Sequence, residues 1–289
     1  MHPRRRFVIA LGGGRSLVLG DRALVMGIVN VTPDSFSDGG RLYDPAAAIE
    51  MGIQMAEEGA DLIDVGGEST RPGAAPLDAT EECRRVLPVI EGLVGRVRVP
   101  ISVDTYKAAT AEAALDAGAA LINDISGLRY EPALADVVAR RGVPIVLMHM
   151  RGRSQQMYEQ ASYLDVIGEV KDELRASVAF ATSAGIAAER IIVDPGLGFA
   201  KNATQSCELL ARLGEFAEIG RPILAGPSRK SFLTRPLGGS VPPVERDWAT
   251  AATVTAAVLA GAHIVRVHAV RQMLQVVRVS DEIRRYHAG

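Results

Sequence analysis

Carboxylates, amides and cations recur in this chain at one kind of place, the point where a short apolar run gives way to a loop. Asn30 closes the first run; Asp64 lies in the second, with Glu68, Ser69, Thr70 and Arg71 behind it; Asp104 and Thr105 close the third. Asn123 and Asp124 end the fourth, His149 the fifth and Asp194 the sixth. Ser228, Arg229 and Lys230 follow the seventh, and Arg266 and His268 alternate on the eighth. Such groups are costly to bury without partners. Any one of them, Thr105 or Asp124 for instance, reads as a hydrogen-bonded cap of the next helix. The whole set does not.

The set divides by charge. Asp104, Asn123 and Asp194 offer acceptors and an amide to a flat heterocycle bearing N–H donors, while Lys230 suits a ring carbonyl or nitrogen. Arg266 and His268, with Arg71 from a loop, form a cationic group suited to a phosphorylated anion. Asn30 and the loop carboxylates Asp34 and Asp38 are candidates to hold Mg²⁺, an ion that takes few protein ligands and keeps waters. Together these residues suggest a heterocycle carrying a pyrophosphate leaving group. No Ser–His or Cys–His pairing suggests a protein nucleophile, and His149 reads as a wall residue.

The elements that must position these groups repeat one pattern. Apolar runs over 24–31, 61–67, 100–105, 120–126, 144–150, 190–196, 222–228 and 263–270 read as strands, each followed by a segment of helical periodicity. Eight such units without a compositional break imply an α/β fold, a single (β/α)₈ barrel, in which all these strand ends converge on one rim. The rival is a doubly wound open sheet, but no G-x-G-x-x-G opens a helix after the first strand; GGGR at 12–15 leads into another strand. FVIAL and SLVL around those glycines predict an N-terminal β-hairpin over residues 1–23, ahead of a catalytic domain spanning 24–289.

Composition limits the alternatives. In 289 residues, 48% hydrophobic and 23% charged, there is ample material for one core. A net charge of −2 recruits neither nucleic acid nor an anionic membrane. FVIAL is too short for a signal core or a membrane span. Cys83 and Cys207 have no partner at metal or redox spacing, which suits a reducing cytoplasm.

MGIVNVTPDSFSDGG, DLIDVGGESTRPGA, SVDTYKA, INDISG, MHMRG, DPGLGFAKN, GPSRKSFL and RVH occur in this order. From about residue 24 onward the chain resembles the dihydropteroate synthase family. That resemblance implies condensation of 6-hydroxymethyl-7,8-dihydropterin pyrophosphate with p-aminobenzoate, through a cationic pterin, in folate synthesis. It implies a pterin pocket of Asp104, Asn123, Asp194 and Lys230 with Met148 and Phe199 packed on the ring. It places pyrophosphate at Asn30, Thr70, Arg71, Arg266 and His268, assisted by Mg²⁺ at Asn30. It places p-aminobenzoate near Phe36, Arg71, Pro72, Lys230 and Ser231, and assigns the chemistry to Asp104, Asp194, Lys230, Arg266 and His268. It further implies sulfonamides as mimics of p-aminobenzoate and a homodimer packed through late helices, with which the Ala- and Val-rich segment 250–262 is compatible. The alternatives weighed are a methyltetrahydrofolate-dependent corrinoid methyltransferase and a non-catalytic pterin-binding paralogue. The pyrophosphate residues and the SRK signature speak against the first, and Phe36, Asp38, Thr70 and Arg71 against the second. One departure stands out: the family often has Asp after the final His, where this chain has Ala269.

Overall fold

The computed structural model describes residues 4–32, 44–70, 73–153, 159 and 161–286. The chain begins with strands β1 (Phe7–Gly12) and β2 (Arg15–Leu19), paired antiparallel. Gly12, Gly13 and Gly14 at the turn all have positive φ, the region glycine enters without a Cβ clash.

Eight parallel strands follow: β3 (Leu24–Asn30), β4 (Leu62–Gly66), β5 (Ile101–Asp104), β6 (Leu121–Asp124), β7 (Ile145–Met148), β8 (Ile191–Asp194), β9 (Leu224–Ala225) and β10 (Ile264–Val267). They lie in the order β8-β7-β6-β5-β4-β3-β10-β9. The two outer strands meet at a bridge between Val193 and Ile223, where Val193 N–H donates to the Pro222 carbonyl at 2.9 Å. This closes the sheet into the expected barrel and excludes the open one. Helices α1 (Pro45–Glu57), α2 (Ala79–Leu93), α3 (Ala108–Asp116), α4 (Leu134–Arg141), α5 (Val166–Ser183), α6 (Ala203–Ala211), α7 (Asp247–Ala260) and α8 (Val270–Arg285) follow the strands in turn. Their ends are set locally. Asp44 accepts from Ala46 N–H at the start of α1, Asn202 and Gln205 form a reciprocal cap on α6, and Gly261 ends α7 in the left-handed conformation. None of the described helices is long and apolar enough to cross a membrane.

Alternation along the strands separates two cores. Val25, Val65, Val103, Ile122, Leu147, Val193 and Val265 face outward under the helices. Leu24, Met26, Leu62, Leu121, Val146, Ile192, Leu224 and Ile264 face inward and pack against Ile9, Leu11, Leu17 and Leu19 of the hairpin. The hairpin is therefore an apolar stopper at the amino ends of the strands. Two residues further along, the inward positions change character to Asp64, Asp104, Asn123, Met148, Asp194 and Arg266. A floor that is apolar except for Ser102 of β5, and a polar layer above it, leave the carboxyl-end mouth as the place for chemistry.

Candidate active site

Three strand ends bring the acceptor set together. Asn123 Nδ2 donates to Asp64 Oδ2 at 2.9 Å, and Arg266 Nε donates to the same oxygen at 2.6 Å. Arg266 Nη2 reaches Asp104 Oδ2 at 2.7 Å. Burial pushes the Asp104 carboxyl up to about 7 although Arg266 opposes it, and neighbouring Asp64 adds to the rise. Asp64 is wholly buried, with Oδ1 lacking a hydrogen-bond partner. Asp194 is also raised by burial, against the pull of Lys230 and an N–H···Oδ1 bond from Gly196 at 2.8 Å.

The loop after β8 supplies one wall. Lys230 Nζ donates to the Leu197 carbonyl at 2.6 Å and stands 4.2 Å from the centre of the Phe199 ring. Burial lowers its pKa to about 8, with Asp194 restraining the fall. Met148 belongs to an apolar cluster with Tyr106, Ile125, Met150 and Ala200, against which Phe199 packs. Carboxylates, an amide and an ammonium thus surround a partly apolar slot of the kind a flat heterocycle fills.

The rim carries a second group. Asn30 Nδ2 lies 3.5 Å from His268 Nε2, and Ser228 Oγ lies 2.9 Å from His268 Nδ1. Thr70 is half-buried beyond β4, and Ser231 is exposed at the start of a short 3₁₀ turn, Ser231–Thr234. Phe36, Arg71 and Pro72, with Asp34 and Asp38, lie outside the described residues. Arg266 does not stand apart from the acceptors as charge alone suggested. Alternation on β10 turns it into the barrel, where it joins the two carboxylates while keeping 18% side-chain exposure.

Residues 26–268 match the family described as pterin binding enzyme. A dihydropteroate synthase of Synechocystis sp. is 47% identical over 264 residues, covering 91% of each chain. The chain belongs to the dihydropteroate synthase family. The Escherichia coli dihydropteroate synthase is 45% identical over 257 residues, 89% of this chain and 90% of that one. Among solved structures, a Xanthomonas albilineans dihydropteroate synthase with 4-aminobenzoic acid superposes with a TM-score of 0.88, 44% identity and 98% coverage of both chains. A complex of the enzyme from that organism with 7,8-dihydropteroate gives 0.85, 42% identity, and 96% and 98% coverage.

Within this dihydropteroate synthase fold, buried charges support the site from behind, among them Lys107, Glu82 and Lys201, which the sequence did not single out. Lys107 pairs with Glu68 and, at 3.2 Å, with the buried Glu82, to which Thr105 also donates at 2.8 Å. Asp124 is a loop organiser: it accepts from Ser126 N–H, Ser126 Oγ and Leu128 N–H at 2.6–2.7 Å. His149 is buried, its pKa lowered to about 3 by burial and by Lys201, and it bridges Glu173 at 3.1 Å and Lys201 at 2.9 Å. It is a neutral wall residue. Lys201 itself is 1% exposed. Nothing in the stretch GFAKN announces that burial. Ala269, where family members often have Asp, caps α8 without a side-chain bond. Here Ser228 takes the Nδ1 side of His268.

Proposed function

We propose that the chain joins 6-hydroxymethyl-7,8-dihydropterin pyrophosphate to p-aminobenzoate, giving 7,8-dihydropteroate and pyrophosphate. The observation that carries this reading is the slot ringed by Asp104, Asn123, Asp194 and Lys230, with Met148 and Phe199 as its apolar faces. A pterin offers N–H donors and ring acceptors along its edge, which these groups complement.

The chemistry follows from where the charges stand. Heterolysis of the C–O bond sends the electron pair to pyrophosphate and leaves positive charge on the pterin methylene. Asp104 and Asp194, fixed before reaction, stabilise that charge without reorganising. The aniline nitrogen of p-aminobenzoate then bonds the methylene carbon and gives up a proton, with no covalent enzyme intermediate. Arg266 and His268 face the departing pyrophosphate from β10, next to Asn30; Thr70 and Arg71 complete that site, and Phe36, Arg71, Pro72, Lys230 and Ser231 take the p-aminobenzoate side.

Mg²⁺ is proposed at this rim, where Asn30 presents its amide beside His268; the ion takes few protein ligands and keeps waters. Asn30 would hold it, and when bound it supplies charge neutralisation to the leaving group. α7 and α8 pack together and expose Trp248, Val279 and Ile283, which supports a homodimer through that face; light scattering tests it, and a monomer at micromolar concentration would exclude it.

A sulfonamide tests activity and the p-aminobenzoate pocket together. In a pyrophosphate-release assay it should inhibit competitively with p-aminobenzoate, and chelation of divalent ions should slow release. Inhibition that p-aminobenzoate does not relieve would remove that pocket from the reading.

A further inference from the structure

Lys201 lies between β8 and α6, among the largest fully buried side chains. Four acceptors surround its Nζ: His149 Nδ1 at 2.9 Å, the Phe199 carbonyl at 2.9 Å, the Gly196 carbonyl at 3.1 Å and, at the outer limit, the His149 carbonyl at 3.5 Å. Burial pulls its pKa well down, while Asp194 opposes the fall. A neutral amine would turn its lone pair on one of the three nearer acceptors, whereas an ammonium offers each of those three a proton.

The backbone tied by these bonds follows a left-handed path. Gly196 and Gly198 take φ of 72° and 77° without a Cβ clash, but Ala200, with a Cβ and no exposure, is strained at φ of 49°. Such a path persists where its surroundings over-determine it. The same segment builds the site: Gly196 N–H holds Asp194, the Leu197 carbonyl receives Lys230, and the Phe199 ring faces its ammonium. Behind it, His149 N–H donates to the Asp194 carbonyl at 2.8 Å, and the His149 ring rests on Glu173.

We propose that Lys201 is a positioning residue for the pterin half of the reaction, its buried ammonium gathering the Gly196 and Phe199 carbonyls so that Asp194, Lys230 and Phe199 stay in register. The role rests on the pterin reading of the slot. Lys201 does not touch the substrate; it acts through the loop and through its charge. Asp194 is faced by the cations Lys230, Lys201 and Arg266, and Lys201 by Asp194, Lys230, Glu173, Arg129 and His149.

The test is Lys201→Met in the full chain, assayed for pyrophosphate release with each substrate varied against saturating partner. KM for the pterin substrate should rise about tenfold or more, the scale of one lost hydrogen bond to a charged group. KM for p-aminobenzoate should stay within about twofold on the same scale. The pH below which the pterin substrate is lost should move up, because Asp194 has one cation fewer. Lys201→Gln, which keeps two N–H donors, should recover part of the KM, and it carries the test if the Met variant does not fold. An unchanged pterin KM, or equal rises in both KM values with no movement of the acid limb, overturns the proposal. Failure of the unmodified chain to release pyrophosphate would instead sink the functional reading and leave Lys201 out of it.

Discussion

Replacing Arg266 by Met keeps the packing of the aliphatic stem and removes the charge between two carboxylates. In the structure that charge bonds Asp64 at 2.6 Å and Asp104 at 2.7 Å, and Asp64 is wholly buried. Breaking a buried pair by removing one partner costs about 3–5 kcal/mol, a large share of the roughly 5–15 kcal/mol that holds a domain together. At about 2–4 °C per kcal/mol for a chain of this size, the melting temperature should fall on the order of 10 °C. The fall should depend on pH with a definite sign. Asp104 is already raised to about 7 with the guanidinium present; without it the carboxyl climbs further above its unfolded value of about 3.9. A carboxyl whose folded pKa is raised favours the folded state at low pH, and that contribution is lost as pH rises through the folded value. The deficit should therefore be smaller near pH 5 and grow as pH rises above about 7. Thermal melts of both proteins across that range measure it. A deficit that is equal at both ends, or absent at pH 8, would refute the placement of Arg266 as the neutralising partner of the pair.

Lys230→Ala removes the bond to the Leu197 carbonyl and the cation over Phe199; pterin affinity should weaken roughly 10- to 100-fold, as for a lost hydrogen bond to a charged group. Calorimetric titration measures it, and an affinity within about threefold of the parent would free Lys230 from that role. Because burial lowers Lys230 to about 8, kcat/KM for the pterin substrate should fall above that pH as the ammonium deprotonates. A profile flat to pH 9.5 contradicts this. Ala269→Asp should supply the missing side-chain cap of α8 and add about 0.5–2 kcal/mol, seen as a rise in melting temperature. No rise would mean the α8 amino end is satisfied in another way.

The barrel was legible because alternation is written directly into the strands. The run 24–31 puts Leu24 and Met26 inward and Val25 outward, and the same phase then delivers Asp64, Asn123 and Asp194 to the mouth. The hairpin was legible from three glycines between two apolar runs. Strand lengths were not, since the pairing that ends a strand is non-local: 222–228 keeps only Leu224–Ala225 as regular strand, as Pro227 cannot donate to a neighbour. The helical periodicity after the sixth strand runs on past Ala211, where α6 ends and the 3₁₀ turn Leu213–Ile219 takes over. At the site, residue types announced what was bound but not who pairs with whom. The pairing of Arg266 with Asp64 and Asp104 was not legible because sequence carries no partner list, and the burial of Lys201 was not because its packing against His149 is non-local.

The most direct test of the central claim is pyrophosphate release by the purified chain with Mg²⁺, measured with 6-hydroxymethyl-7,8-dihydropterin pyrophosphate and p-aminobenzoate, alone and together. Release that requires both substrates and is matched mole for mole by 7,8-dihydropteroate is the expected result. No release with both at saturation, or release indifferent to p-aminobenzoate, would contradict it.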